Sequence, residues 1–342
     1  GYEFQRETFI STDTAAGVFA RSEASQDAHS FFVQDQMHFF EERLQISLAG
    51  RAQAYRVDDP EFQGGDAPFR NLDRFDAPPT ALTADGDIAY FFPESGTKLR
   101  AHVGNGYRAP SLFNRLGTTF FLGSFSAFGD PRLRPERSIS FDAGFEQTLL
   151  DERVRFSSTY FYTRLQETIV FDFSGLVDPA TDPFGRFGGY ANDPEGGISR
   201  GIEFETSAAL SPNLEVRASY TYTNSDLTRG VEGTRFGPSL GVSDHLFTLS
   251  ADYRPTPRLQ LNGHLYAASD YLFRFFVPTG NRDFRFQGPV RADVGGSYRM
   301  WVKDDHKLRL YLQVENLFDD VYFENGFRTP GLTARAGIAY EY

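Results

Sequence analysis

The residues of this chain with chemistry to offer are six histidines, many carboxylates and one segment dense in arginine and phenylalanine. The histidines are His29, His38, His102, His245, His264 and His306. None stands at a spacing such as H-x-x-E-H or H-x-x-x-H, so along the chain none pairs as a metal ligand, and no metal is expected. Serines and acids are plentiful, but no G-x-S-x-G segment marks a nucleophile. An enzyme is not expected, nor is a cofactor. Asp58, Asp59, Glu61 and Asp66 make one long loop acidic. Clustered carboxylates suit hard cations, but the spacing is not that of an EF-hand, so a solvated surface loop is expected.

The segment 271–286 is different. It holds Tyr271, Phe273, Arg274, Phe275, Phe276, Arg282, Phe284, Arg285 and Phe286. Guanidinium forks grip anionic oxygens and aromatic rings stack on flat ligands, so this mixture suits an anionic metal chelate. The alternative is an aromatic girdle with arginines facing lipopolysaccharide phosphates. A second aromatic run, Phe120, Phe121, Leu122, Gly123, Ser124, Phe125 and Phe128, has no charge to direct a ligand, and burial at a rim explains it equally well.

The elements that position these residues follow from a period of two. In 213–222, Leu214, Val216, Ala218, Tyr220 and Tyr222 oppose Asn213, Glu215, Arg217, Ser219 and Thr221. The stretches 139–146, 153–162, 290–300 and 308–315 alternate in the same way. A helix, with 3.6 residues per turn, would mix these faces, whereas a strand separates them. Short breaks fall near Glu41-Glu42-Arg43, Pro93–Gly96, Leu150–Arg153, Ser211-Pro212-Asn213, Pro255–Arg258 and Lys303–His306. Long ones fall at about 10–28, 58–76, 108–135, 172–195, 226–243, 270–287 and 316–331. Short turns alternating with long loops, over about fourteen strands, predict an all-β transmembrane antiparallel barrel with periplasmic turns and extracellular loops. The last strand, about 331–342, then ends in the periplasm, and the first enters from that side.

Composition agrees. No Cys is present, which excludes a disulfide framework and thiolate metal sites. Phe occurs 36 times and Tyr 17 times, suiting strands and interfacial girdles. The net charge of -12 argues against nucleic acid. Residues 1–7 already alternate like a strand rather than opening a signal peptide, so the chain is expected to start at a processed end or a cut.

Three segments resemble one family, the TonB-dependent outer-membrane receptors. Gly104-Asn105-Gly106-Tyr107-Arg108-Ala109-Pro110-Ser111-Leu112-Phe113 is similar to its strand-to-loop motif. Gly129-Asp130-Pro131-Arg132-Leu133-Arg134-Pro135-Glu136-Arg137-Ser138 resembles its N-P-x-L-K-P-E segment, with Asp130 and Arg134 in the usual Asn and Lys positions. Val314-Glu315-Asn316-Leu317-Phe318-Asp319-Asp320-Val321-Tyr322 matches the N-[LI]-F-[DN]-x-x-Y segment before the last strand. The end, with Gly337, Tyr340 and Tyr342, resembles the signal read by the barrel-assembly machinery. The prolines lack an N–H and end strand pairing, while Asn316 and Asp319 favour turn geometry. These are structural roles.

The resemblance runs over about 1–342 and implies a receptor in the bacterial outer membrane. Such a receptor takes up a scarce bulky nutrient (ferric siderophore, haem or cobalamin) with energy from TonB, and lipid and lipopolysaccharide surround it. It also implies a plug, a TonB-contacting box and 22 strands. Neither plug nor box is found here, so the chain is expected to be the C-terminal part of such a barrel. The rivals are a passive channel of about fourteen strands and a surface adhesin.

Overall fold

A computed structural model of the chain describes residues 1–15, 18–64, 69, 72, 74–121, 124–172, 177–226, 239–277, 280–303 and 306–342. Fourteen antiparallel strands follow one another as an unbroken meander. They are β1 (Tyr2–Ala15), β2 (Val18–Phe39), β3 (Leu44–Val57), β4 (Ala81–Phe92), β5 (Thr97–Arg108), β6 (Glu136–Leu149) and β7 (Val154–Asp172). Then come β8 (Gly197–Ser211), β9 (Leu214–Asp226), β10 (His245–Thr256), β11 (Leu259–Ala268), β12 (Val290–Lys303), β13 (His306–Glu315) and β14 (Thr333–Glu341). Among the described residues β1 and β14 do not pair, so the sheet is an open wall with two edges.

The usual relation of burial to polarity is inverted. On β6 the more exposed positions are Ile139, Phe141 and Phe145, between 37% and 44% exposed, while Ser138, Ser140 and Asp142 are less exposed. Apolar side chains point out and polar ones line the concave face, as a wall between lipid and a wet lumen requires. A strand needs only about 9–11 residues to cross the bilayer. β2, with 22, rises well beyond it. Here the sequence expectation is corrected: the described residues of 10–28 are strand and not a long loop, because β1 and β2 stay paired from Tyr2↔Phe31 to Ala15↔Val18. The expected long loops of 108–135 and 316–331 also contain order, namely a short helix (α1, Leu112–Leu116) and a two-residue hairpin, Phe323–Glu324 with Phe327–Arg328. The hairpin turns on Asn325-Gly326, both at positive φ (49° and 81°), the conformation favoured by this dipeptide.

At the loop end the chain builds a small apolar core. Phe69, Leu112 and Leu116 are essentially inaccessible, and Phe75, Ala127 and Ala24 of β2 close around them. Under it, β2 presents Ala20, Ser22, Ala24, Gln26, Ala28 and Ser30, all buried, so small side chains let the loops settle onto the wall.

Candidate functional site

The two proline-bearing segments meet at the barrel mouth. Ser111 caps α1, accepting from the Asn114 N–H at 3.1 Å while Asn114 Oδ1 accepts from the Ser111 N–H at 3.2 Å, a reciprocal capping box. Asp130 N–H then donates to the Asn114 carbonyl (3.0 Å). Arg115 lies buried across the junction, donating through Nε and Nη2 to the Pro131 carbonyl (3.1 and 2.8 Å) and through Nη2 to that of Asp76 (2.7 Å), with its guanidinium 3.8 Å above the Phe75 ring. Burial pushes its pKa down to about 10. Pro110, Pro131, Leu133 and Pro135 are buried and Ala109 is half-buried, while Arg132 and Arg134 point outward. Arg108 pairs with Glu136, whose other oxygen accepts from the Ile169 N–H at 2.7 Å. Tyr107 Oη donates to the Pro79 carbonyl (2.6 Å).

A residue that the motifs do not contain organises this junction. Arg186 is 2% exposed, and its Nη2 lies 2.8 Å from Asp130 and 2.7 Å from Asp182. Its Nη1 donates to the Gly129 and Tyr190 carbonyls (3.2 and 2.8 Å). Asp130, which replaces the family's usual Asn, also receives Arg132 at 2.9 Å on each oxygen. Burial pushes the Asp182 carboxyl up, but hydrogen bonds from Arg186 and the Phe184 N–H outweigh it and hold the group below the usual carboxylate range.

The third segment closes the last loop. Asn316 is buried at φ 53°; its Oδ1 accepts from the Asp320 N–H (3.0 Å) and its Nδ2 donates to the Asp320 carbonyl (2.9 Å). Asp319 accepts from the Leu332 N–H (2.8 Å), tying the loop's start to its end. Leu317 and Phe318 face outward, 45% and 57% exposed, and Tyr322 is buried with its hydroxyl 3.3 Å from Arg291 Nη1. At the C-terminus the Tyr311 ring lies over Gly337, so that a Cβ there would meet Tyr311 Oη at 2.4 Å. Tyr340 stacks on His306 with ring centroids 5.8 Å apart, and Tyr342 stacks on Tyr340. All of these are structural engagements.

The arginine–aromatic segment folds as a hairpin, Tyr271–Val277 against Gly280–Phe286. Register places Tyr271, Phe273, Phe275, Arg282, Phe284 and Phe286 on one face. Part of this face is used internally. Phe286 packs on Phe323 (5.4 Å between centroids), the Tyr271 hydroxyl donates to the Phe323 carbonyl (2.6 Å), and Phe275 lies against Gly326. Arg274 is held by Asp283 across the hairpin in a two-pronged pair (2.6 and 2.9 Å). What remains outward is Arg282 and Phe284 on one face and Arg285 on the other, all exposed, the two arginines having no ion pair among the described residues. The side chains of Phe276, Phe120, Phe121 and Phe125, and the residues Asp66, Leu122 and Gly123, lie outside the described ones. Phe128 sits in an aromatic cluster with Phe113, Phe171 and Tyr190.

A family model described as TonB dependent receptor-like, beta-barrel, matches residues 1–317. The iron-regulated outer membrane virulence protein of Vibrio cholerae is 26% identical over 243 residues, which are 68% of this chain and 35% of that protein. The metal-pseudopaline receptor CntO of Pseudomonas aeruginosa is 21% identical over 307 residues, 90% of this chain and 39% of that protein. The chain thus spans less than two-fifths of these curated relatives. Among solved structures, the copper transporter OprC superposes with a TM-score of 0.68 at 13% identity, over all of this chain and 56% of that one. The ferripyoverdine receptor of the Pseudomonas aeruginosa outer membrane gives 0.67 at 17% identity, over 95% and 39%.

Proposed function

The chain belongs to the TonB-dependent receptor family of the bacterial outer membrane, and on that footing we propose that it forms lumen wall and extracellular loops of an active transporter for a bulky metal chelate. We infer further that the fourteen strands are the C-terminal part of a 22-stranded barrel, with plug and TonB contact supplied outside this sequence, and with assembly machinery engaging β14 through Gly337, Tyr340 and Tyr342. The names of a relative and of two solved structures give metal-pseudopaline, ferripyoverdine and copper as cargo, which supports the chelate class. The unpaired β1 and β14 edges speak against a passive fourteen-stranded channel, since open edges cannot sit in hydrocarbon.

The observation that carries the reading is the 271–286 hairpin. It packs on the 323–328 hairpin and offers the exposed pair Arg282 and Phe284 on one face and the exposed Arg285 on the other. A charge-assisted contact to a ligand carboxylate or catecholate oxygen contributes about 1.5–3 kcal/mol. Uptake of labelled ferric chelates is to be compared in cells carrying the full-length receptor and its Arg282→Ala/Arg285→Ala variant, each with and without a functional TonB. The reading expects TonB-dependent uptake of at least one chelate, weakened about tenfold or more in apparent affinity by the double substitution. Uptake that persists without TonB would sink active transport. Unchanged affinity would remove the hairpin from the binding site.

A further inference from the structure

We propose that the lumen wall carries a binding site for one divalent transition-metal ion of the Zn²⁺ or Ni²⁺ type, formed by Asp85 and Asp87 of β4 and His102 of β5, with Asp142 of β6 as the positioning residue. The inference stands on wall geometry alone and does not depend on which chelate, if any, the receptor transports.

Register brings the four together. Asp87 stands opposite His102, His102 opposite Asp142, and Asp85 opposite Gly104. All project to the polar face, since Ile88 and Val103, their neighbours in sequence, are among the exposed apolar residues of the outer face. One carboxylate oxygen from each of Asp85 and Asp87 and one ring nitrogen of His102 lie within 4.8 Å of one another. Both aspartates are exposed to the lumen, so an ion has access.

Acidic groups alone would make only a diffuse negative patch. The imidazole makes this cluster specific. Nδ1 of His102 is 3.2 Å from Asp142 Oδ2. Asp142 accepting from Nδ1–H selects, for the neutral imidazole that a metal ion binds, the tautomer whose Nε2 carries the lone pair. Such a carboxylate–histidine arrangement orients the ring and raises its basicity at metal centres. Asp142 is also 4.0 Å from Arg100, which marks it for the orienting role rather than for ligation. Nε2 points over Gly104. A Cβ there would lie 3.3 Å from Nε2 and 3.1 Å from the Asp85 Cβ, so the free nitrogen and the Asp85 side chain converge above a residue that leaves the space open. One imidazole and two carboxylates give three protein ligands and an open coordination position. The nitrogen favours borderline transition metals over Ca²⁺ or Mg²⁺, which take oxygen.

The test uses the full-length receptor in detergent and Zn²⁺ alone as the probe. Calorimetric titration reads stoichiometry and affinity, and X-ray absorption at the zinc edge reads the ligands. The wild type is expected to bind one tight equivalent that His102→Gln and Asp85→Asn/Asp87→Asn each abolish. Asp142→Asn keeps the equivalent but weakens it 10- to 100-fold. The zinc spectrum shows one imidazole nitrogen, and excess Ca²⁺ does not displace the ion. Three results each overturn the proposal: no tight equivalent in the wild type, equal binding by wild type and His102→Gln, or displacement by Ca²⁺. The last two reveal a plain acidic patch. Heat-modified gel mobility confirms folding of every variant, and the two ligand variants are independent, so misfolding of one leaves the other decisive.

Discussion

Replacing Arg186 by alanine strips the barrel mouth of its central cation, and the structure sets the size of the effect. The guanidinium makes five hydrogen bonds, to Asp182 at 3.0 and 2.7 Å, Asp130 at 2.8 Å, and the carbonyls of Gly129 and Tyr190 at 3.2 and 2.8 Å. The two carboxylates it leaves behind are 11% and 4% exposed, so water does not replace it. Breaking such a buried pair from one side costs about 3–5 kcal/mol; Arg132 still holds both oxygens of Asp130, so the stranded charge is chiefly Asp182 and the lower end of that range applies. That energy falls on the loop junction and not on the wall, because the strands keep every ladder bond. At about 3 kcal/mol, local opening is therefore expected to become roughly 10²-fold more frequent, at tenfold per 1.4 kcal/mol. Hydrogen exchange in the full-length receptor reads this directly. The amides of Asp130, Leu133 and Tyr190, bonded to the carbonyls of Asn114, Asp130 and Phe128, should lose protection by that factor, while amides of β6 do not change. Arg132, 57% exposed in its ion pair, is the control: its alanine variant should shift the same amides by less than about fivefold. Adding Asp182→Asn to Arg186→Ala should restore part of the protection, because one stranded charge is gone. Loop amides within about threefold of wild type in Arg186→Ala would refute the reasoning.

The Asp182 carboxyl is held below its usual value of 3.8, so its contribution to the junction is complete above that value and is lost as pH falls through the depressed one. Loop protection, corrected for intrinsic exchange, should be flat from pH 7 to 5 and decline only below about pH 4; a decline centred near pH 6 would assign the loss to a histidine instead. Gly337→Val places carbon where the Tyr311 ring lies, so the heat-modifiable folded fraction should drop, and Tyr311→Ala in the same chain should recover it. No recovery would mean that Gly337 matters to the assembly machinery and not to packing.

The wall was legible because lipid imposes a code. Wherever a strand faces hydrocarbon its outward residues must be apolar, and the alternation in 139–146 or 213–222 marks strand, face and turn at once. That code lapses above the bilayer. Residues 20–30 alternate Ala, Ser and Gln with polar residues, because one face packs beneath a loop core and the other meets water, and so they read as loop although they continue β2. The Asn325-Gly326 turn sat in plain view inside a segment read as a loop, since its flanking strands are only two residues each.

The site shows the same division more sharply. The prolines marked where strand pairing ends, and their segments meet at the barrel mouth, yet Arg186 and Asp182 carry no local signal. They matter only because the loop at 177–193 folds back onto Asp130. His102 failed a different rule. Metal-ligand spacings such as H-x-x-E-H are written for helices, where neighbours on a face are three or four apart. In an antiparallel wall the neighbours of His102 are residues equally far from a turn: Asp87 across Pro93–Gly96, and Asp142 across the long loop that follows. Once the short turns are located, every β4–β5 pair follows by counting outward from the turn centre. Counting outward from Pro93–Gly96 would have set an aspartate against a histidine on the polar face before any coordinates existed. In a barrel, ligand spacing has to be read across turns, because that is the direction in which the sheet brings side chains together.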